Sequence, residues 1–268
     1  METGSFCKIY ARRFHDMPAL RHGQEIERMI MRLDKFLCEM KIGTRSQVKT
    51  YICQGHVTVN GMPVKQPDLK IEESSDEIIF RDNILHYRKF FYYMLNKPPG
   101  AVSATRDKLA PTVISLLGDA YREDVFPVGR LDRDTTGLLV LTNDGALAHQ
   151  LLAPKRHVDK TYHATLERKL SVEAADLLQQ GVDIGDEKPT MPARVQILDD
   201  ETILLTIREG RYHQVKRMLA AVGNHVLALK RITFGSLELD ASLKPGQFRE
   251  LTEEEINRLK ECAGKCMK

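Results

Sequence analysis

Between Gly129 and Gly137 the chain carries Arg130, Asp132, Arg133, Asp134, Thr135 and Thr136, a short polar stretch with two carboxylates and two hydroxyls. A carboxylate so placed can serve as a nucleophile or as a general acid or base, provided its surroundings hold it still and set its charge. The run Leu138 to Leu141 that follows is apolar, short and closed by Asn143-Asp144-Gly145, which predicts a buried strand ending in a turn. Anchored at the mouth of that strand, Asp132 and Asp134 stand on a rigid scaffold. In the plainer alternative one aspartate caps a turn and the threonines satisfy backbone groups.

A second cluster lies around Glu209-Gly210-Arg211-Tyr212-His213-Gln214-Val215-Lys216-Arg217. A turn there opens a helix with Val215, Met218, Leu219 and Val222 inward, stopped by Gly223-Asn224, and Arg208, Arg211, His213, Lys216 and Arg217 crowd its entry. Helix N-termini favour negative neighbours, so this concentration of positive charge calls for an anion, either phosphate or an active-site carboxylate. A solvated basic turn is the alternative. Upstream, Lys155, Arg156 and Lys160 lead into an alternating strand through Tyr162 to Leu166. Tyr162 either reaches a site or finds a hydrogen-bond partner at the edge of the core.

Residues 1–30 lack periodicity and an apolar core and are expected to be a flexible leader, neither a signal peptide nor a transit peptide. From Met31 the spacing of Leu33, Phe36, Leu37 and Met40 predicts a helix stopped by Gly43. A second helix is capped by Thr44 or Ser46 and buries Val48, Tyr51 and Ile52. The alternation in Val57 to Val59 enters Asn60-Gly61, a strong hairpin signal, and short strands are expected over 68–71 and 77–80. Seven basic residues against three acidic ones between Met31 and Ile71 give this small unit a positive face able to follow a phosphate backbone. Polar residues 83–89 read as a linker. Phe90 to Leu95 is an aromatic strand leaving its sheet at Pro98-Pro99, by composition core, though aromatics near basic groups can also stack on bases. A short helical segment over 112–117, a helix over 146–152, another from Ser171 to Gly181, a hairpin of Arg194 to Leu198 with Thr202 to Ile207, strands over 226–232 and 236–239 and a helix from Thr252 complete a second domain over 90–261, with 262–268 a tail.

The chain of 268 residues is mildly basic, net +3 with pI near 8.5, so any nucleic-acid contact must come from local patches. Five scattered cysteines, Cys7, Cys38, Cys53, Cys262 and Cys266, suit a reduced cytoplasm, and Cys262 with Cys266 lacks a neighbouring His to complete a zinc site. No run approaches the roughly 18 apolar residues of a membrane span. A cytoplasmic monomer without membrane attachment, metal or cofactor is expected.

The string from Gly129 to Leu139, G-R-L-D-x-x-T-x-G-L-L, resembles the catalytic motif of pseudouridine synthases, in which the Asp after Leu is the nucleophile. Asn96-Lys97-Pro98-Pro99-Gly100 is similar to the segment that opens the catalytic domain in the RsuA-type ribosomal RNA branch. Lys160-Thr161-Tyr162 is similar to that branch's K-x-Y motif, and His213-Gln214-Val215-Lys216 to its third motif. Arg32 to Leu37, Thr44 to Val48 and Gly55 to Gly61 resemble an S4 RNA-binding domain. The resemblance spans residues 31–260. It implies an α+β chain with an S4 domain over 31–82, two helices plus a short sheet, followed by a catalytic domain built on a mixed, mainly antiparallel sheet. It further implies catalysis by Asp132, Lys216 and Tyr162, with Lys216 pairing with Asp132 and Asp134 holding the loop. RNA contacts are expected from Arg32, Lys35, Arg45, Lys49, Arg130, Lys160, Arg211, His213 and Arg217. The partner would be ribosomal RNA or a pre-ribosomal particle. Glu209 to Met218 with Ala220-Ala221-Val222-Gly223-Asn224-His225-Val226 looks most like the branch acting on 16S RNA, with 23S RNA the alternative. Two readings from other classes stand beside it. Asp132 and Asp134 also resemble the D-x-D-x-T motif of haloacid-dehalogenase-type phosphatases, which wants an apolar strand directly before the first Asp. A non-catalytic ribosome-assembly factor would use the S4 face alone.

Overall fold

The computed structural model describes residues 30–73, 75–85, 87–120 and 122–264. Positions 1–29 of the expected leader and 265–268 of the expected tail lie outside them. The chain divides into two compact units, residues 1–89 and 90–268.

In the first unit, β1 (Ile30–Arg32) leads directly into α1 (Leu33–Glu39), and α2 (Arg45–Cys53) follows. The start of α2 is fixed by a reciprocal capping box: the Thr44 side chain accepts from the Gln47 backbone, and the Gln47 side chain accepts from the Thr44 N–H. Then come β2 (Val57–Val59), β3 (Met62–Pro63), β4 (Lys70–Glu72), β5 (Ile78–Phe80) and β6 (Asn83–Leu85). Asn60 and Gly61 both take positive φ, 51° and 75°, which sets the tight hairpin between β2 and β3. Strands β3, β2, β5 and β6 form one sheet in that order, and β1 pairs with β4. Leu33, Phe36, Leu37, Val48, Ile52, Val57, Ile71 and Ile78 close a core between helices and strands. The expected linker begins later than its polarity implies, because β6 pairs antiparallel with β5 and so belongs to the sheet.

The second unit is built on β7 (Tyr92–Lys97), β8 (Phe126–Pro127), β9 (Thr136–Thr142), β10 (Lys160–Leu166), β11 (Arg194–Ile197), β12 (Thr202–Ile207), β13 (Val226–Phe234), β14 (Leu237–Glu238) and β15 (Phe248–Glu250). Its main path runs β11-β12-β10-β13-β9-β7-β15, with β14 on β13 and β8 on β9. All pairs are antiparallel except the short parallel contact of β13 with β9. Helices cover both faces. The packing of α4 (Val172–Gln180) and α5 (Gln214–Ala221) buries Tyr93, Leu95, Leu139 and Leu141, while α3 (Gly145–Leu152) and α6 (Glu253–Gly264) bury Tyr92, Met94, Leu138 and Val140. Successive strand residues point to opposite faces, so a strand covered on both is apolar over its covered length, and Tyr92 to Leu95 of β7 and Leu138 to Leu141 of β9 form such runs. In place of the helical segment expected over 112–117, Ser115–Ala120 makes two short 3-10 turns broken by a kink at Gly118. α6 runs to Gly264, so Cys262 belongs to this helix and not to a tail.

Candidate active site

The loop from Gly129 to Thr135 enters β9, and its neighbours clamp it. Ser103 Oγ accepts from the Leu131 N–H at 3.0 Å and donates to the Leu131 carbonyl at 2.9 Å. The ammonium of Lys97, fully buried at the end of β7, donates to the carbonyls of Pro98, Arg133 and Thr135 at 3.1, 3.2 and 2.9 Å. Burial pushes the Lys97 amine down to about 8, against the pull of Asp134 and Asp132. Between them these bonds hold the backbone on both sides of Asp132. The resemblance marked Lys97 as part of a motif, but its anchoring role follows from where the fold puts it.

Asp132 is about a quarter exposed, its Oδ1 3.5 Å from His213 Nε2 and its Oδ2 3.6 Å from Lys216 Nζ. Lys216 makes its short contacts elsewhere, at 2.6 and 2.7 Å to the two carboxylate oxygens of Asp134, which is 73% exposed. Hydrogen bonding from Lys216 holds the Asp134 carboxyl below the ordinary carboxylate range. The ammonium expected to pair with Asp132 therefore spans both aspartates and sits closer to the outer one. His213 and Lys216 come from the first turn and entry of α5, so the anion that this basic helix entry calls for is supplied by the Asp132 loop.

One cleft is lined by Arg130, Asp132, Tyr162, His213 and Lys216, among others. Tyr162 is buried on β10, opposite Arg231 of β13. Arg231 is itself buried. Its Nε donates to the Leu138 carbonyl at 2.8 Å and Nη2 has no hydrogen-bond partner; burial disfavours the charged guanidinium, an effect the neighbouring Tyr162 side chain only partly offsets. Nothing in the local pattern of β13 marks Arg231, because only the cross-strand register brings it opposite Tyr162. Arg130 is exposed at the cleft.

Three expected RNA contacts are placed differently. Lys160 is buried, its Nζ donating to the Val158 carbonyl at 2.7 Å and its amine pushed down to about 8 by that burial, so it is a core residue of β10 and not a surface contact. On an alternating strand the parity that turns Tyr162 inward turns Lys160 inward too. Arg211 lines the cleft but spends its guanidinium on Glu209, on the Lys188 and Pro189 carbonyls and on Asp186. Arg217 binds Asp186 and the carbonyls of Ile184 and Tyr212. Both arginines thus staple the 184–189 segment to the start of α5. In the first unit Arg32, Lys35, Arg45 and Lys49 line one depression with Asp34, and Arg32 is forked onto Asp34 at 3.0 and 2.8 Å.

A phosphatase-type first aspartate would follow an apolar strand directly. Asp132 instead lies in a loop beyond the two-residue β8. Among the described residues no helix is long and apolar enough to cross a membrane.

A family model described as RNA pseudouridylate synthase matches residues 91–221, and one described as S4 domain matches residues 31–78. The chain is 45% identical to a Bacillus subtilis (strain 168) protein named uncharacterized RNA pseudouridine synthase YtzG, over 86% of this chain and 99% of that one. It is 43% identical to ribosomal small subunit pseudouridine synthase A of Haemophilus influenzae, over 85% and 99% of the two chains, and 41% identical to the Escherichia coli (strain K12) protein of the same name, over 84% and 98%. A crystal structure described as pseudouridylate synthase aligns with 43% identity and a TM-score of 0.62 over 85% of this chain and 99% of that one.

Proposed function

Since the chain belongs to the RNA pseudouridylate synthase family, with an S4 domain ahead of the catalytic unit, we propose that it isomerises one specific uridine of small-subunit 16S ribosomal RNA, with Asp132 as the nucleophile. The observation that carries this reading is a clamped carboxylate, Asp132, sharing a cleft with the ammonium of Lys216, the imidazole of His213 and the ring of Tyr162. The choice of 16S RNA rests on the relatives named for the small ribosomal subunit.

The reaction breaks the bond from C1′ to N1 and makes one from C1′ to C5. The C5 proton leaves and N1 gains one, so the product is an isomer and no electrons are exchanged with a partner. Asp132 must act as an anion, and the ammonium of Lys216, 3.6 Å away, places a positive charge beside it. Attack at C1′ would expel the base as an anion; addition at C6 would instead tether it through the ring. Either route leaves Asp132 covalently engaged until the base has turned and C5 has bonded. The C5 proton then passes to a base, either the Asp132 carboxylate once it is released or the Tyr162 oxygen, which must first give up its own proton to serve. C1′ of a stacked nucleotide is shielded, so the uridine must flip out at a cost of a few kcal/mol, offset by contacts at the cleft mouth, where Arg130 stands exposed. The basic depression of the S4 domain, with Lys35, Arg45 and Lys49, adds backbone contacts that carry no base identity.

Tritium release from 16S transcripts carrying [5-³H]uridine tests the reading, with 23S transcripts alongside. Wild-type protein should release tritium from 16S RNA alone, and Asp132→Asn should release none while binding the transcript within about twofold of wild type. Full release by Asp132→Asn would remove Asp132 from the role. Release from 23S RNA only would reassign the target.

A further inference from the structure

The ring of Tyr212 is 72% exposed, an unusual position for a large aromatic side chain, and it lies parallel to the imidazole of His213, with centroids 3.9 Å apart and planes 17° from each other. His213 occupies a left-handed conformation, φ 48° and ψ 34°, at the residue preceding α5. This is an uncommon setting for a residue other than glycine. It puts the imidazole in the cleft, 3.5 Å from Asp132, while Tyr212, between the cleft residues Arg211 and His213, stands exposed. The backbone is held in this shape, since the Tyr212 carbonyl accepts from Arg217 Nη1 at 3.2 Å. One face of the Tyr212 ring is covered by His213. Its high exposure leaves the other open to solvent, and the hydroxyl makes no hydrogen bond among the described residues.

We propose that Tyr212 is a stacking platform for the nucleobase next to the target uridine in the RNA. The inference rests on the pseudouridine synthase reading of the same site. When the uridine leaves the helical stack, the adjacent base loses a neighbour on one side. A rigid aromatic ring beside the residues of the cleft that receives the flipped nucleotide can take that place. The column would then run from the RNA base through Tyr212 to His213, ending beside Asp132. Stacking on an aromatic side chain is tolerant of base identity because every base presents a π-face, so Tyr212 would contribute affinity and placement rather than sequence choice. It makes no proposed contact with the reacting atoms and is a binding residue.

The test is the affinity of wild type, Tyr212→Ala, Tyr212→Phe and Tyr212→Trp for a 16S transcript in excess competitor tRNA, titrated across salt concentrations, with tritium release measured in parallel. Tyr212→Ala should bind about 5- to 150-fold more weakly, the loss of one base–aromatic stack. Tyr212→Phe and Tyr212→Trp should stay within about twofold of wild type. The salt slope of Tyr212→Ala should equal that of wild type because no phosphate contact is lost. Under subsaturating RNA the alanine variant should lose tritium release through KM, with kcat nearly kept. Affinity of Tyr212→Ala within twofold of wild type would overturn the inference, as would an equal loss in Tyr212→Phe, which would put the effect in the hydroxyl. Absence of tritium release by wild-type protein would count against the isomerase reading alone, because the binding comparison is independent of turnover.

Discussion

Lys216 approaches Asp134 a full ångström more closely than Asp132, and the division has a chemical sense. A tight ion pair would tie up the very lone pairs a nucleophile needs. With the ammonium anchored on the exposed Asp134, Asp132 gains a nearby positive charge while its oxygens stay available. Lys216→Met should therefore lower kcat by roughly 10²–10³, the scale of losing one preorganised electrostatic partner. Asp134→Asn should cost about tenfold or less, because it frees Lys216 without removing it; single-turnover tritium release separates the two. Lys97 adds a pH dependence. Its ordinary value near 10.5 falls to about 8 in the fold, so burying the charged amine costs stability in full below pH 8, and that cost fades between about 8 and 10.5. On stability this group favours alkaline pH. Activity should move the other way, since a neutral amine has two N–H bonds for three carbonyls and one anchor of the Asp132 loop is lost. A kcat profile that declines above pH 8 in wild type, and loses that limb in a slower Lys97→Met variant, would bear this out.

The parallel contact of β9 with β13 brings the two halves of the large sheet together just behind the site, and Gly137 makes it possible. At φ 97° its backbone suits glycine, and a Cβ there would fall 2.2 Å from the Arg231 carbonyl oxygen. Gly137→Ala should destabilise the chain by roughly 2–4 kcal/mol in urea unfolding and displace Asp132 with the loop that enters β9. Gly145→Ala, at the start of α3 with open space around it, should stay within about 0.5 kcal/mol and serves as the control. In the other unit, Thr44→Ala removes the capping box of α2 and should cost about 1 kcal/mol of that unit's stability.

As a whole, the molecule keeps its chemistry and its basic helical face in separate compact units. Charge reversal at Arg45 or Lys49 should weaken binding of any RNA and lower the salt slope by about one per lost phosphate contact, leaving kcat at saturating RNA unchanged. Filter binding and saturation kinetics on the same variants check both halves.

Periodicity alone marked α1, α2, α4, α5 and the strands around Tyr162, because each buries one defined face and its apolar spacing records that face. The Gly-bounded Asp132 stretch and the basic entry to α5 were legible as chemistry for a similar reason, since charged groups in such density need partners. What the linear order could not carry is which groups meet. Asp132 and Lys216 are separated by the whole of β9 to α5, and only sheet order β10-β13-β9 brings them within one ion-pair distance. The burial of Lys160, the stapling of Arg211 and Arg217, the placement of Arg231 opposite Tyr162 and the preference of Lys216 for Asp134 are all settled by neighbours distant in sequence. Residue type and spacing by themselves determined a clamped-looking carboxylate loop and a basic helical face, and the resemblance of the motifs implied catalysis and RNA binding for them. Tertiary packing alone decided which cation faces which carboxylate, because electrostatic partnership depends on distances through space that no local pattern encodes.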